Sequence, residues 1–161
     1  MSGIRRALDA DAVTVTSGVG FAVTGPLHAE YPDWSEEDLE YLAMQDASRA
    51  SLRLIGGSDP EEPPLRVVIA ADVDDANVTP RPEADRAVVA VRGTVDWKNV
   101  AAVHVDGADA GPAVREAVAA IDAADLGDDD AEFTLSSAED FDLAWYAPGE
   151  ITYLVDELDV T

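Results

Sequence analysis

The run Ala71-Asp72-Val73-Asp74-Asp75 sets three carboxylates within four residues, directly after an apolar stretch that reads as a strand. Hard divalent cations take clustered oxygen ligands, and α/β proteins commonly bind them beyond the carboxyl ends of their strands. Asp72, Asp74 and Asp75 are therefore the metal candidates of this chain. They would serve a small divalent-metal-dependent hydrolase or phosphoryl-handling enzyme. The competing reading is that aspartates fill the loops of a chain carrying 34 acidic residues. A second acidic run, Asp128-Asp129-Asp130 with Glu132, lacks the glycine and terminal glutamate spacing of an EF-hand and reads as a solvated loop.

The junction Asp106-Gly107-Ala108-Asp109-Ala110-Gly111-Pro112 leads from a strand into a helix, where anions often bind. It contains neither the Gly-Lys-Ser/Thr of a P-loop nor a dinucleotide fingerprint, and its aspartates repel phosphate. They are expected to cap the helix. The two histidines, His28 and His104, have no evident partner, and general acid–base catalysis needs one within hydrogen-bond reach. Both read as structural or surface groups. Ser48, Ser51, Ser136 and Ser137 sit in no nucleophile-elbow context. In Leu143-Ala144-Trp145-Tyr146-Ala147-Pro148-Gly149-Glu150 an aromatic pair stands beside a carboxylate. Such a pair anchors a terminal helix, or it forms a recognition surface, since Trp and Tyr dominate binding hot spots. Trp145, Tyr146 and Glu150 are the expected partner or ligand surface, joined by Trp34 and Trp97 if these are exposed. No residue is assigned a catalytic role and no cofactor is expected.

The elements that must position these groups follow from periodicity. Ser35 with Glu36, Glu37 and Asp38 makes a capping-box start, and Leu39, Leu42, Ala43, Ala47, Ala50 and Leu54 recur at helical spacing up to Gly56-Gly57. Residues 109–124 read as a second helix, with Pro112 in its first turn, an inner face of Val114, Val118 and Ile121, and Gly127 just beyond. Short helices are expected at residues 3–10, just after Pro26, and at 148–158. Residues 65–71, 87–91 and 100–105 read as apolar strands, the first buried on both faces. Weaker extended segments lie at 13–16, 19–24, 133–135 and 143–146. Residues 74–85, with Pro80 and Pro82, are expected to be irregular. The loop at 56–64 looks linker-like, yet neither side of it is long enough for a separate domain. The expected architecture is one mixed α/β domain over residues 1–161. Its single sheet of four to five strands is packed by two main helices and a C-terminal helix.

Composition bounds the function. Ten basic residues against 34 acidic ones give a net charge of -24 over 161 residues, with no cysteine. Such a chain repels phosphate backbones and anionic lipid, so nucleic acid and membrane are not expected partners. Missing cysteines exclude disulfides, thiolate metal sites and cysteine nucleophiles. With 47% hydrophobic residues and no apolar run of membrane-spanning length, the chain is expected to be globular, soluble and cytoplasmic. Nine arginines against one lysine, with 22 aspartates, fit a GC-rich genome or a salt-loaded cytoplasm. The composition and the incomplete motifs favour a non-enzymatic interaction or regulatory module, with an unknown protein or a second copy as partner. A small-ligand domain would need an apolar pocket at Trp145-Tyr146.

Several segments carry a family likeness: Gly20-Phe21-Ala22-Val23-Thr24, Asp38-Leu39-Glu40-Tyr41-Leu42-Ala43, Ala50-Ser51-Leu52-Arg53-Leu54, and Arg66-Val67-Val68-Ile69-Ala70-Ala71-Asp72. They continue with Val103-His104-Val105-Asp106 and with Leu143-Ala144-Trp145-Tyr146 followed by Glu150. Together they resemble an uncharacterised family of small acidic actinobacterial proteins, a domain of unknown function. The likeness covers nearly the whole chain and implies a scaffold and a lineage, not a reaction. It also implies a short hydrophobic strand ahead of the first helix, which this chain would lack. The sheet edge left unpaired would then be open to a partner or a second copy.

Overall fold

In the computed structural model, which describes residues 2–59 and 61–159, α-helices outweigh strands and the strands form three small antiparallel sheets. The chain runs through α1 (Ser2–Ala10), β1 (Ala12–Thr14), β2 (Val19–Phe21), α2 (Gly25–Glu30) and α3 (Glu36–Gly56). It continues with β3 (Val67–Ala71), β4 (Val78–Pro80), β5 (Val88–Val91), β6 (Thr94–Asp96) and β7 (Val100–Val105). It ends with α4 (Gly111–Asp125), α5 (Asp129–Glu139), β8 (Ala144–Tyr146) and α6 (Ile151–Asp159). The mixed α/β class agrees with the sequence. The single sheet does not: β1 pairs β6, β5 lies between β2 and β4, and β7 lies between β3 and β8. Strands of three residues make short ladders, and the helices are shared among the small sheets: α3 packs on both β2 and β3, while α1 and α6 meet β1 and β7 in one cluster.

Three apolar clusters result. Ile4 of α1 and Ile151 and Val155 of α6 pack with Val103 and Val105 of β7. Leu27, Leu39, Ala43 and Ala87 form a second core under α2 and the start of α3. The third joins Leu52 of α3 to Val114, Ala117, Ile121 and Ala124 of α4 and Ala131, Leu135 and Ala138 of α5. The alanines allow close approach of these helices.

Helix α3 forms as its local signals demand. Ser35 Oγ accepts the Asp38 N–H (3.2 Å), and Asp38 Oδ2 accepts the Ser35 N–H (3.1 Å), closing the capping box. Its buried stripe drifts along the helix, however. Leu39 and Ala43 are buried, but near the C-terminus Ser48, Ser51 and Leu52 face inward while Leu54 is exposed. Helix α5 corrects the expectation of a solvated loop at Asp128–Asp130 and an extended stretch at 133–135. Asp128 is its N-cap, with Oδ1 accepting the Ala131 N–H (2.9 Å), and Asp129, Asp130 and Glu132 occupy the first turn, where the helix dipole favours negative charge. Gly127, at φ +88°, makes the reversal from α4 into α5 that a side chain would strain. The segment at 74–85 is not wholly irregular either, since β4 ends at Pro80 on the outer edge of its sheet. Nor is β3 buried on both faces: it is an antiparallel edge strand, half-buried along its length.

One charged pair lies at the centre of the packing. Arg66 and Asp106 have side chains 2% and 0% exposed. Arg66 donates from Nε to Asp106 Oδ2 (2.9 Å) and from Nη2 to Oδ1 (2.7 Å), and its backbone N–H also reaches Oδ2 (2.7 Å). Its remaining donors meet Ser48 Oγ of α3 (3.2 Å) and the Phe141 carbonyl after α5 (2.7 Å). Asp106 therefore does not cap α4, and neither does Asp109, because no side chain caps that helix or the 3-10 turn before it. The pair instead ties the ends of β3 and β7 to α3 and α5.

Candidate functional site

The three aspartates after β3 do not assemble a cation cage. Asp72, Asp74 and Asp75 are all exposed, and Asp74 Oδ1 is occupied by the Ala76 N–H (2.9 Å) at the start of a 3-10 turn, Asp75–Asn77. Among the described residues no three His, Asp or Glu side chains stand close enough to hold an ion.

The aromatic junction is divided three ways. Tyr146 lies opposite Val103 and turns inward to the core beneath α1 and α6. Glu150 Oε2 accepts the Ala147 N–H (2.9 Å), fixing the turn that enters α6. Trp145, opposite His104, points the other way and is 60% exposed. The Val67 N–H leaves the sheet to reach Ser51 Oγ (3.0 Å), which sets the alternation of the ladder. By that alternation the Trp145 N–H and C=O point away from β7, along the outer edge of β8. His104 is partly buried, and desolvation holds its imidazole below the usual histidine pKa. Of the other two tryptophans, Trp34 is exposed but stacks on Tyr31 (centroids 4.5 Å apart), and Trp97 packs against the α1/α6 core.

A different arrangement forms beside α3. Asp46, Arg49, Ala50 and Arg53 fall on one face of the helix and line a cleft of about 360 Å³. Phe21 of β2 and Val88 of β5 supply apolar walls, and Asp85 and Asp125 complete it. Both arginines are already engaged. Arg49 is bidentate to Glu132 (2.7 Å to each oxygen), and Arg53 grips Asp125 through Nε and Nη2 (2.6–3.1 Å). Asp85 Oδ1 accepts the Arg86 N–H (2.6 Å). Asp46 is left over: among the described residues it has neither a hydrogen bond nor an ion pair, and it is half-buried. Burial, and then the like charge of Asp85, push its carboxyl above the ordinary carboxylate pKa.

That shift has a checkable sign. The fold disfavours the ionised form of Asp46, so stability is lost as pH rises through the ordinary carboxylate pKa to the raised one. Asp46→Asn is therefore expected to melt higher than the parent at pH 7, with the difference shrinking toward pH 4. Partial exposure keeps the gain small, about 1–2 °C. Thermal melts of both proteins across that range test it, and a lower Tm for the variant at pH 7 would contradict the unpaired-charge account.

The model of a family of unknown function, DUF6912, matches residues 1–155. The chain belongs to that family. No curated protein and no solved structure matches it. In this DUF6912 chain the sequence did not single out the cleft; the one local signal for it is that Asp46, Arg49 and Arg53 recur at helical spacing. Phe21, Asp85 and Val88 come from segments far away in sequence, and no local pattern assigns them to the same place.

Proposed function

We propose that this DUF6912 protein is a cytosolic, non-catalytic interaction module that engages a positively charged protein partner. The observation that supports this reading is Trp145, a large ring left 60% exposed at the rim of a sheet in a chain of net charge -24. Burying such a ring against a partner removes a large apolar area from water, and tryptophan is the residue most enriched among binding hot spots. The surrounding carboxylates speed the approach of a basic protein and oppose both nucleic acid and a second copy of this chain. Among the described residues no helix is long and apolar enough to cross a membrane.

A photo-cross-linking amino acid placed at position 145 of the full chain, in cells that express it natively, tests the reading. The expected result is one dominant adduct with a basic protein, absent when the same group replaces Tyr153, which is 77% exposed. Identical adduct patterns from both positions, or an adduct with a second copy of the chain alone, overturn it.

A further inference from the structure

We infer that the outer edge of β8 is a strand-addition site, which pairs backbone to backbone with an extended basic segment of a protein partner. The inference rests on the reading of Trp145 as a partner contact, and it names how that partner is held.

The sheet β3-β7-β8 has two edges, and they differ in what covers them. Every residue of β3 is half-buried, and α3 shields the start of that edge, where Ser51 Oγ takes the Val67 N–H (3.0 Å). Ala144 and Trp145 of β8 are exposed. The Trp145 N–H and C=O face away from β7. Leu143, two residues earlier, has no backbone hydrogen-bond partner among the described residues either. The open stretch ends at Ala147, whose N–H goes to Glu150 Oε2 (2.9 Å) and whose C=O takes the Glu150 N–H (2.9 Å). An open edge is a template for another strand, and proteins usually blunt it with lysine, proline or a bulge. Residues 143–145 carry none of these.

The chemistry of the edge selects its occupant. Outward N–H and C=O groups are matched by a second extended backbone, whose side chains then alternate between the two faces. The residue paired with Trp145 lays its side chain along the indole, as cross-strand neighbours do. Charge decides among the chains that could present such a backbone. Residues 139–150 hold four carboxylates (Glu139, Asp140, Asp142 and Glu150) and no lysine or arginine, and Asp140 and Asp142 are exposed just before the edge. Desolvation holds His104, opposite Trp145, in its neutral form at pH 7, so it does not repel a cation. A basic segment is attracted, and a second copy of a chain of net charge -24 is repelled.

The test uses the full-length protein and three fluorescein-labelled heptapeptides at fixed ionic strength. The first alternates valine and lysine, the second is its fully backbone N-methylated analogue, and the third alternates valine and glutamate. Affinity is read by anisotropy, and the place of binding by hydrogen exchange of individual amides in NMR spectra. In the free protein the Trp145 amide should exchange fast, and those of Ala144 and Tyr146, which face β7, slowly. Saturation with the valine–lysine peptide should slow exchange at Trp145 about ten-fold or more. The N-methylated peptide keeps the charge but donates no N–H, and should bind about ten-fold more weakly. The valine–glutamate peptide should not bind. Leu143→Pro removes an outward N–H while leaving the indole in place, and should weaken binding several-fold. Asp140→Asn with Asp142→Asn, which spares the backbone, should weaken it more than Glu40→Gln with Glu116→Gln on exposed helix positions. Equal binding of the N-methylated peptide, unchanged exchange at Trp145, equal losses from both charge pairs, or no binding of the valine–lysine peptide each overturns the proposal. Trp145→Ala separates the two readings, because it keeps the edge and removes the ring. Binding that needs the ring but brings no protection to the parent's Trp145 amide sinks strand addition alone. Undiminished affinity in Trp145→Ala, with residue 145 still protected, sinks the Trp145 reading alone.

Discussion

Replacing Asp106 by alanine is expected to lower the unfolding free energy by about 3–5 kcal/mol, the usual cost of stranding one partner of a buried ion pair. For a chain of this size that amounts to a fall in Tm of about 6–20 °C. The reason is geometric. Arg66 cannot swing to water from a site where its side chain is 2% exposed, and Asp106 accepts three of its N–H groups. Removal of the carboxylate leaves a buried cation whose remaining partners, Ser48 and the Phe141 carbonyl, carry no formal charge. Replacing both members, as Arg66→Met with Asp106→Leu, should recover most of the loss, because the desolvation cost of the charges goes with them. Urea unfolding of the three variants decides the matter. A cost below about 1 kcal/mol for Asp106→Ala would mean that the pair is solvated and holds nothing together. The consequence reaches the cleft, since the network carries the Ser48 turn of α3, one turn before Leu52, and the chain just beyond α5. A weakened network should loosen the Arg49–Glu132 contact between these helices before the sheets separate.

How far the sequence foretold this depends on the range of the interactions involved. Helices α3 and α4 were legible because their apolar spacing and stop signals are local, as are the Ser35 capping box of α3 and Pro112 in the first turn of α4, although the aspartate cap expected for α4 does not form. Helix α5 carried the same information in Asp128 and in Ala131, Leu135 and Ala138. Three consecutive aspartates suggested solvent instead, although an acidic first turn is where a helix dipole wants them. The division into three sheets was not legible. Which three-residue strand pairs with which is a non-local choice, and Thr94–Asp96 carries too little pattern to mark it as a strand. The Arg66–Asp106 pair was hidden for the same reason: forty residues separate its members, and each had a bland local reading, one at the start of an apolar run and one before a helix. At the aromatic junction, period-two alternation sends Trp145 and Tyr146 to opposite faces, so a common surface for both was never available to a strand.

Added salt is expected to raise the melting temperature by an amount comparable to the loss of the buried pair. The charge of -24 must be confined to a folded radius of gyration of about 15 Å, whereas the unfolded chain spreads it over about 42 Å. Repulsion therefore penalises the native state more than the unfolded one. The screening length falls from about 30 Å at 0.01 M to about 3 Å at 1 M, from longer than the folded radius to much shorter than it. A relief of several kcal/mol corresponds to a rise in Tm on the order of 10 °C for this chain length. Local ion pairs oppose the trend, because the exposed bridges Arg53–Asp125 and Arg49–Glu132 weaken as salt increases. Their share is small, since exposed pairs contribute about 0–1 kcal/mol each against a repulsion summed over 24 uncompensated charges. Melts in NaCl from 0.01 to 1 M should therefore rise throughout, most steeply below about 0.05 M, where the screening length crosses the folded radius. A flat or falling curve would show that the carboxylates are already neutralised in the fold, by protonation or by tightly held counterions, and the acidic surface would then lose its power to steer a basic partner.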